Sequence, residues 1–214
     1  MTRDAERMER ASEEPIVGGL PDVPGIGVAM RLKPELGVHL RGLADQLLVA
    51  DWEGATISRY EREMLATAVS AQNDCFFCMD SHGEHAGALL ASGPVDPEHL
   101  SLVAEVKSGS SSGFQPKMRA LLTITRVVGR DARELTPADV QCALDEGATD
   151  VDVQLAVLIA SGFSMYNRLV DGFRARTPPV LEPYRARAAE IAQNGYSAPP
   201  SAPPSAPPSG APKT

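Results

Sequence analysis

Residues 63 to 82 read EMLATAVSAQNDCFFCMDSH and hold Cys75, Cys78 and His82 in the spacing Cys-x-x-Cys-x-x-x-His. If the segment from Cys75 onward is helical, offsets of three and four residues stack these side chains on one face, with neighbouring Cβ atoms about 5–6 Å apart. That separation suits a disulfide. Asp74 is a candidate N-cap, which makes Cys75 the first helical residue and puts Cys78 about a turn inside. Positive potential at a helix start and a nearby imidazole both favour thiolate over thiol. Redox chemistry is therefore the leading reading, with a zinc site and inert buried cysteines as competitors.

Geometry weighs against metal. A four-ligand set completed by His85 must span Cys75 to His85, about 15 Å of helix, whereas zinc needs its ligand atoms about 2.0–2.3 Å from one point. A thioredoxin-like motif should follow a strand in a βα alternation. Here the flanks read as helical.

The same stretch resembles the alkylhydroperoxidase D-like family of the carboxymuconolactone decarboxylase superfamily, whose signature places a Glu twelve residues before Cys-x-x-Cys-x-x-x-His. Counting back from Cys75 gives Glu63. Glu61 has another task, since Ser58-Arg59-Tyr60-Glu61 is a capping box. Glu63 lies on the flank of the apolar stripe of Tyr60, Met64, Ala68 and Ala71, so the resemblance, not the spacing, selects it. The resemblance extends over roughly residues 28 to 175, through Pro34-Glu35-Leu36 and Asn167-Arg168-Leu169. It implies a compact helical unit that assembles into trimers or hexamers. It also implies a peroxidase in which Cys78 attacks, Cys75 resolves, and His82 and Glu63 form a proton relay. Relatives often carry His or Tyr immediately before the second cysteine; Phe77 stands there instead and can take no part in a relay.

With 214 residues, 43% hydrophobic and 22% charged, the composition is that of a globular chain with one sizeable core. A net charge of -8 argues against nucleic-acid and anionic-membrane partners. The first fifteen residues lack a signal peptide's apolar core, and the apolar stretch from Val153 to Phe163, interrupted by Gln154, Ser161 and Gly162, reads as too short for a membrane span. Three cysteines without an export signal suggest a reducing compartment, and we expect a cytoplasmic protein.

Along the chain, residues 1–27 read as a polar, mobile tail and a Gly/Pro-rich connector. A first helix is expected from Pro34, with Leu36, Leu40, Leu43 and Leu47 at helical intervals. Trp52 then reads as a core or interface anchor. The cysteine helix should end near Ser92 before Gly93-Pro94, with Gly83 and Gly87 permitting a close neighbour. His85 and His99 read as surface or satisfied polar residues. Further helices are expected from Asp96-Pro97, over Met118 to Val128, from Thr136-Pro137 to about Gly147, from Thr149 through the most apolar segment, and over Glu182 to Gln193. Ser108 to Gly113 reads as a flexible loop. Cys142 has no partner in sequence and reads as core packing. Ser-Ala-Pro-Pro occurs three times from Ser197, marking 196–214 as a disordered, polyproline-like tail.

The expectation is thus an all-α bundle of about six to eight helices over 28–195, in which the Glu63 and cysteine helices pair antiparallel. Its expected activity is thiol-dependent reduction of hydroperoxides, with a dithiol or protein reductant, no flavin, haem or metal, and assembly as a homo-oligomer. The alternatives are a general thiol-disulfide oxidoreductase and a non-enzymatic helical scaffold with a structural metal. Lactone decarboxylation fits less well, because it does not need a cysteine pair.

Overall fold

The computed structural model describes residues 3–90 and 97–198, with side chains described for 5–90 and 101–198. Within these limits every regular element is helical: α1 (Arg3–Ala11), α2 (Gly27–Leu32), α3 (Pro34–Leu48), α4 (Arg59–Gln72), α5 (Phe76–Leu90), α6 (Pro97–Lys107), α7 (Pro116–Asp131), α8 (Pro137–Asp145), α9 (Asp150–Gly172) and α10 (Glu182–Asn194), plus one 3-10 turn, Ala132–Glu134. The all-α expectation holds. The expected count of six to eight helices is low, because α1 forms where a tail was expected and α2 forms ahead of the first helix expected from Pro34.

The start signals work as local chemistry predicts. Ser58 and Glu61 form a reciprocal capping box at α4, as do Thr136 and Asp139 at α8 and Thr149 and Asp152 at α9. Asp152 does more than cap. Its carboxylate also accepts from the Thr56 N–H (2.7 Å), the Thr56 hydroxyl (2.5 Å) and the Ile57 N–H (3.1 Å), so the starts of α4 and α9 are tied to one buried group.

Helix α4 is the axis of the fold, buried continuously from Arg62 to Ala71 and packed on α5, α9 and α7. Met64, Leu65 and Val69 meet Leu121, Leu122 and Ile124 of α7 and Leu155, Ile159 and Phe163 of α9 in one core. Each such side chain contributes about 1.5–3 kcal/mol on leaving water. Helix α9 corrects one expectation: at 23 residues it is long and apolar enough to cross a membrane by length and composition. More than half of that apolar window is buried inside the bundle, as befits a core helix.

Other expectations change where side chains face. Leu40 and Leu47 of α3 are buried, but Leu36 and Leu43 are 44% and 38% exposed, because the partners of α3 cover only part of its apolar stripe. Cys142 is exposed rather than packed; the buried residue of α8 is its neighbour Ala143. Trp52 is half-buried against the core and donates to the Gln46 carbonyl at 2.8 Å. Gly83 permits the close approach expected of it, since a Cβ there would come within 2.4 Å of the Lys107 side chain on α6; Gly87 faces open space. The Ser108 to Gly113 loop closes around Glu105, which accepts from Ser110, Ser112 and the Gly113 N–H. At the N-terminus, Arg7 of α1 pairs with the buried Asp80 at 2.9 Å, and Lys107 pairs with the same carboxylate at 3.1 Å, so α1 is docked on α5. The Gly93-Pro94 stop, the His99 side chain and the Ser-Ala-Pro-Pro repeats beyond Ala198 lie outside the described residues.

Candidate active site

The α4–α5 turn builds the site. Asn73 ends α4 and donates to Asn167 on α9 at 2.9 Å, while Asn167 donates to Ser70 at 3.1 Å. Asp74 takes the left-handed conformation (φ 54°), and the Cys75 N–H returns to the Ser70 carbonyl at 3.0 Å. Asp74 is therefore the turn residue and not the N-cap expected of it, since a cap has extended backbone. Cys75 itself stands immediately before α5, and its carbonyl accepts the Met79 N–H at 2.9 Å.

Both motif cysteines are free thiols and buried. They differ in what they face. Cys78 lines a cavity of about 330 Å³, together with Phe77, Ser81, His82, His85, Phe163 and Tyr196 among others. Cys75 does not reach that cavity; it packs with Val28, Val170 and Ala175. The interaction with Cys78, then burial and the nearby Asp171 charge, hold Cys75 well above the ordinary thiol range, so it stays protonated. Burial likewise raises the Asp171 carboxyl.

Glu63 comes from α4 and meets His82 of α5, with Oε2 2.7 Å from Nδ1. The position taken from the family signature is thus the one that touches the motif histidine, and it is 1% exposed. Burial pushes the Glu63 carboxyl up, but the hydrogen bond from His82 and the nearby His85 ring outweigh it and bring the group down to about 2. Burial also drives His85 toward the neutral form. The carboxylate therefore rests chiefly on its hydrogen bonds rather than on imidazolium charge.

Two residues of this cluster were not anticipated. His85, read as surface or satisfied, is buried, with Nδ1 3.8 Å from Glu63 Oε2 and Nε2 lacking a hydrogen-bond partner. Its spacing of three from His82 places both rings on one face of α5. Tyr196 was assigned to the tail, yet it is buried and its hydroxyl donates to Glu63 Oε1 at 2.7 Å, lying 3.0 Å from His85 Nδ1 and 3.3 Å from His82 Nδ1. The helical domain thus extends past 195.

The chain is turned inward by Gly195, whose φ of +75° and 2.8 Å clearance to Asp45 leave no room for a side chain. The Tyr196 and Ser197 N–H groups then donate to Asp45 at 2.6 and 2.9 Å. Arg59 holds the end of α10 through the Ala192 and Ile191 carbonyls. The available signal was an aromatic residue immediately after the Gly that ends a helix.

No family model and no curated protein matches the chain. Solved structures do. An uncharacterized peroxidase-related protein from Ralstonia eutropha JMP134, with an alkylhydroperoxidase AhpD core, is 22% identical with a TM-score of 0.63, over 78% of this chain and 82% of that one. An uncharacterized peroxidase-related protein from Silicibacter sp. TM1040 is 21% identical with a TM-score of 0.62, over 82% and 93%. A protein of unknown function from Agrobacterium tumefaciens, linked by its name to AhpD and antioxidant defence, is 17% identical with a TM-score of 0.54, over 70% and 95%. The likeness read from Glu63, Cys75, Cys78 and His82 is therefore matched across the bundle, and the chain has the alkylhydroperoxidase D-like fold.

Proposed function

We propose that the protein is a thiol peroxidase that reduces organic hydroperoxides. The observation that carries this reading is that Cys78, and not Cys75, lines the cavity together with His82, whose Nδ1 is held by an ionised Glu63. With Nδ1 engaged, Nε2 is the nitrogen left to accept a proton from Cys78, one turn away on α5. The Cys78 thiolate attacks one peroxide oxygen; the O–O bond breaks, the other oxygen leaves with a proton as an alcohol, and Cys78 becomes a sulfenic acid. Cys75, kept protonated until then, attacks that sulfur, water leaves, and a disulfide forms. An external dithiol or protein reductant returns the pair to thiols. The cycle runs on thiol chemistry and calls on neither flavin nor haem.

The cavity supports organic over hydrogen peroxide, since its size and its Phe77, Phe163 and Tyr184 walls suit an apolar group. Exposed Leu36, Val38 and Leu43 on α3 support assembly with further copies of the chain, a trimer or hexamer in our reading. We place the protein in the cytoplasm, where a reductant keeps the pair turning over. The test is thiol titration after one equivalent of an organic hydroperoxide. Loss of two thiols with release of one alcohol is expected. Turnover with disulfide substrates alone would make the protein a general thiol-disulfide oxidoreductase instead.

A further inference from the structure

The proton relay uses one histidine, and the site holds two. Glu63, His82 and His85 each present a ligand atom within 4.8 Å of the others, and all three are buried. Their approach is mutual: His82 Nδ1 and His85 Nδ1 stand 2.7 and 3.8 Å from the same Glu63 oxygen. The Tyr196 hydroxyl closes the group at 2.7 Å from Glu63, 3.0 Å from His85 and 3.3 Å from His82.

We infer that these side chains form a binding site for a divalent d-block cation of the zinc class, with Glu63, His82 and His85 as ligands and Tyr196 as an adjoining oxygen donor. Zinc takes imidazole nitrogen and carboxylate oxygen at about 2.0–2.2 Å, usually with four donors. Three atoms already this close need only small movements to share one ion. The helix-span objection to zinc does not reach this set, because Glu63 arrives from α4 and the two histidines are one turn apart on α5.

The donor types also suit a metal, since one carboxylate and two imidazoles are ligands zinc takes. A route exists as well, since His82, His85 and Tyr196 all line the cavity that contains Cys78. A metal on Nδ1 of a neutral His82 would shift that ring's proton from Nδ1 to Nε2, so His82 could no longer accept one from Cys78. On the peroxidase reading above, the loaded protein is therefore the inactive one.

Zinc binding to reduced protein, purified anaerobically and stripped with a chelator, is measured by calorimetry. Cobalt supplies a spectroscopic probe of the donor atoms. The Cys75→Ser/Cys78→Ser double variant should bind one zinc per chain as tightly as the parent, and its cobalt spectrum should lack a thiolate charge-transfer band. His85→Gln should lose the site, and Tyr196→Phe should weaken it about tenfold or more, the size of effect seen when a metal site's supporting groups are removed. Loss of binding in the double cysteine variant would place the metal on the thiols and overturn the inference, as would parental affinity in His85→Gln. If the His85 variant does not fold, the double cysteine variant decides alone. These readouts need no peroxidase activity, so absence of turnover leaves the metal result standing. Zinc binding without inhibition of peroxide-driven thiol loss would remove only the inactivation step.

Discussion

Tyr196→Phe removes one oxygen from the buried polar cluster around Glu63. That hydroxyl donates at 2.7 Å to the Glu63 carboxylate, which is itself 1% exposed. A hydrogen bond to a charged group contributes about 1.5–3 kcal/mol, and the phenylalanine ring leaves Glu63 Oε1 short of a donor. We expect a loss of about 2 kcal/mol. For a chain of this length that is a fall of roughly 4–8 °C in Tm. The Glu63 carboxyl, losing a donor, should titrate higher than in the parent. Two truncations sharpen the test: a chain ended after Ala198 keeps Tyr196 and both N–H bonds to Asp45 and should melt with the parent, whereas one ended after Gly195 should melt at least as low as Tyr196→Phe. Melting followed by circular dichroism reads all three. A Tyr196→Phe protein that melts within about a degree of the parent would refute the reasoning, since the hydroxyl would then not be buried against Glu63 in solution.

The remaining predictions concern the thiols and the acid limb of stability. Cys78→Ser should abolish peroxide consumption, whereas Cys75→Ser should permit one turnover and leave a sulfenic acid on Cys78 detectable by dimedone labelling and mass spectrometry; label on Cys75 in Cys78→Ser, at the parent's first-turnover rate, reverses the assignment. Glu63 is depressed from 4.5 to about 2 on folding. Its ionisation therefore contributes stability that is fully present above about 4.5, on the order of 3 kcal/mol, and is lost as pH falls toward 2. His85, lowered on folding, makes stability decline already as pH drops through about 6.5, where the unfolded chain takes up a proton that the folded one does not. Urea titrations should show Glu63→Gln less stable at neutral pH but with a flatter fall between about 4.5 and 2; an unchanged slope there removes the buried carboxylate from the account. His82→Ala and Glu63→Gln should oxidise slowly at neutral pH and recover in part at alkaline pH, where hydroxide replaces the base. Cys142, exposed on α8, should alkylate under native conditions well before the buried Cys75 and Cys78; peptide mapping after a short iodoacetamide pulse checks the order.

Much of this protein is written in short-range patterns. The capping boxes at Ser58, Thr136 and Thr149, the prolines opening α3, α6, α7 and α8, and the apolar periods between them are decided by neighbours within a turn or two. They place most helix starts within a residue or two. Cys-x-x-Cys-x-x-x-His likewise lies on one helix, so its stacking follows from helical spacing. Which acid meets His82 is a different kind of fact, because Glu63 is on another helix and only the α4–α5 pairing brings the two to 2.7 Å. The family likeness supplied Glu63; its own periodicity did not.

The tertiary structure alone decided the rest. His85 is read as a surface or satisfied polar residue because its own spacing names no partner, and its environment is set by a tyrosine 111 positions away. Tyr196 borders a Pro-rich repeat and shares its polar context, but α10 packs on α5 and Gly195 turns the chain inward, which delivers the ring to Glu63. Cys142 and Leu43 show the converse. Both have the chemistry of a core residue, and both face outward because the number of partners around a helix, not its composition, sets how much of its surface is covered.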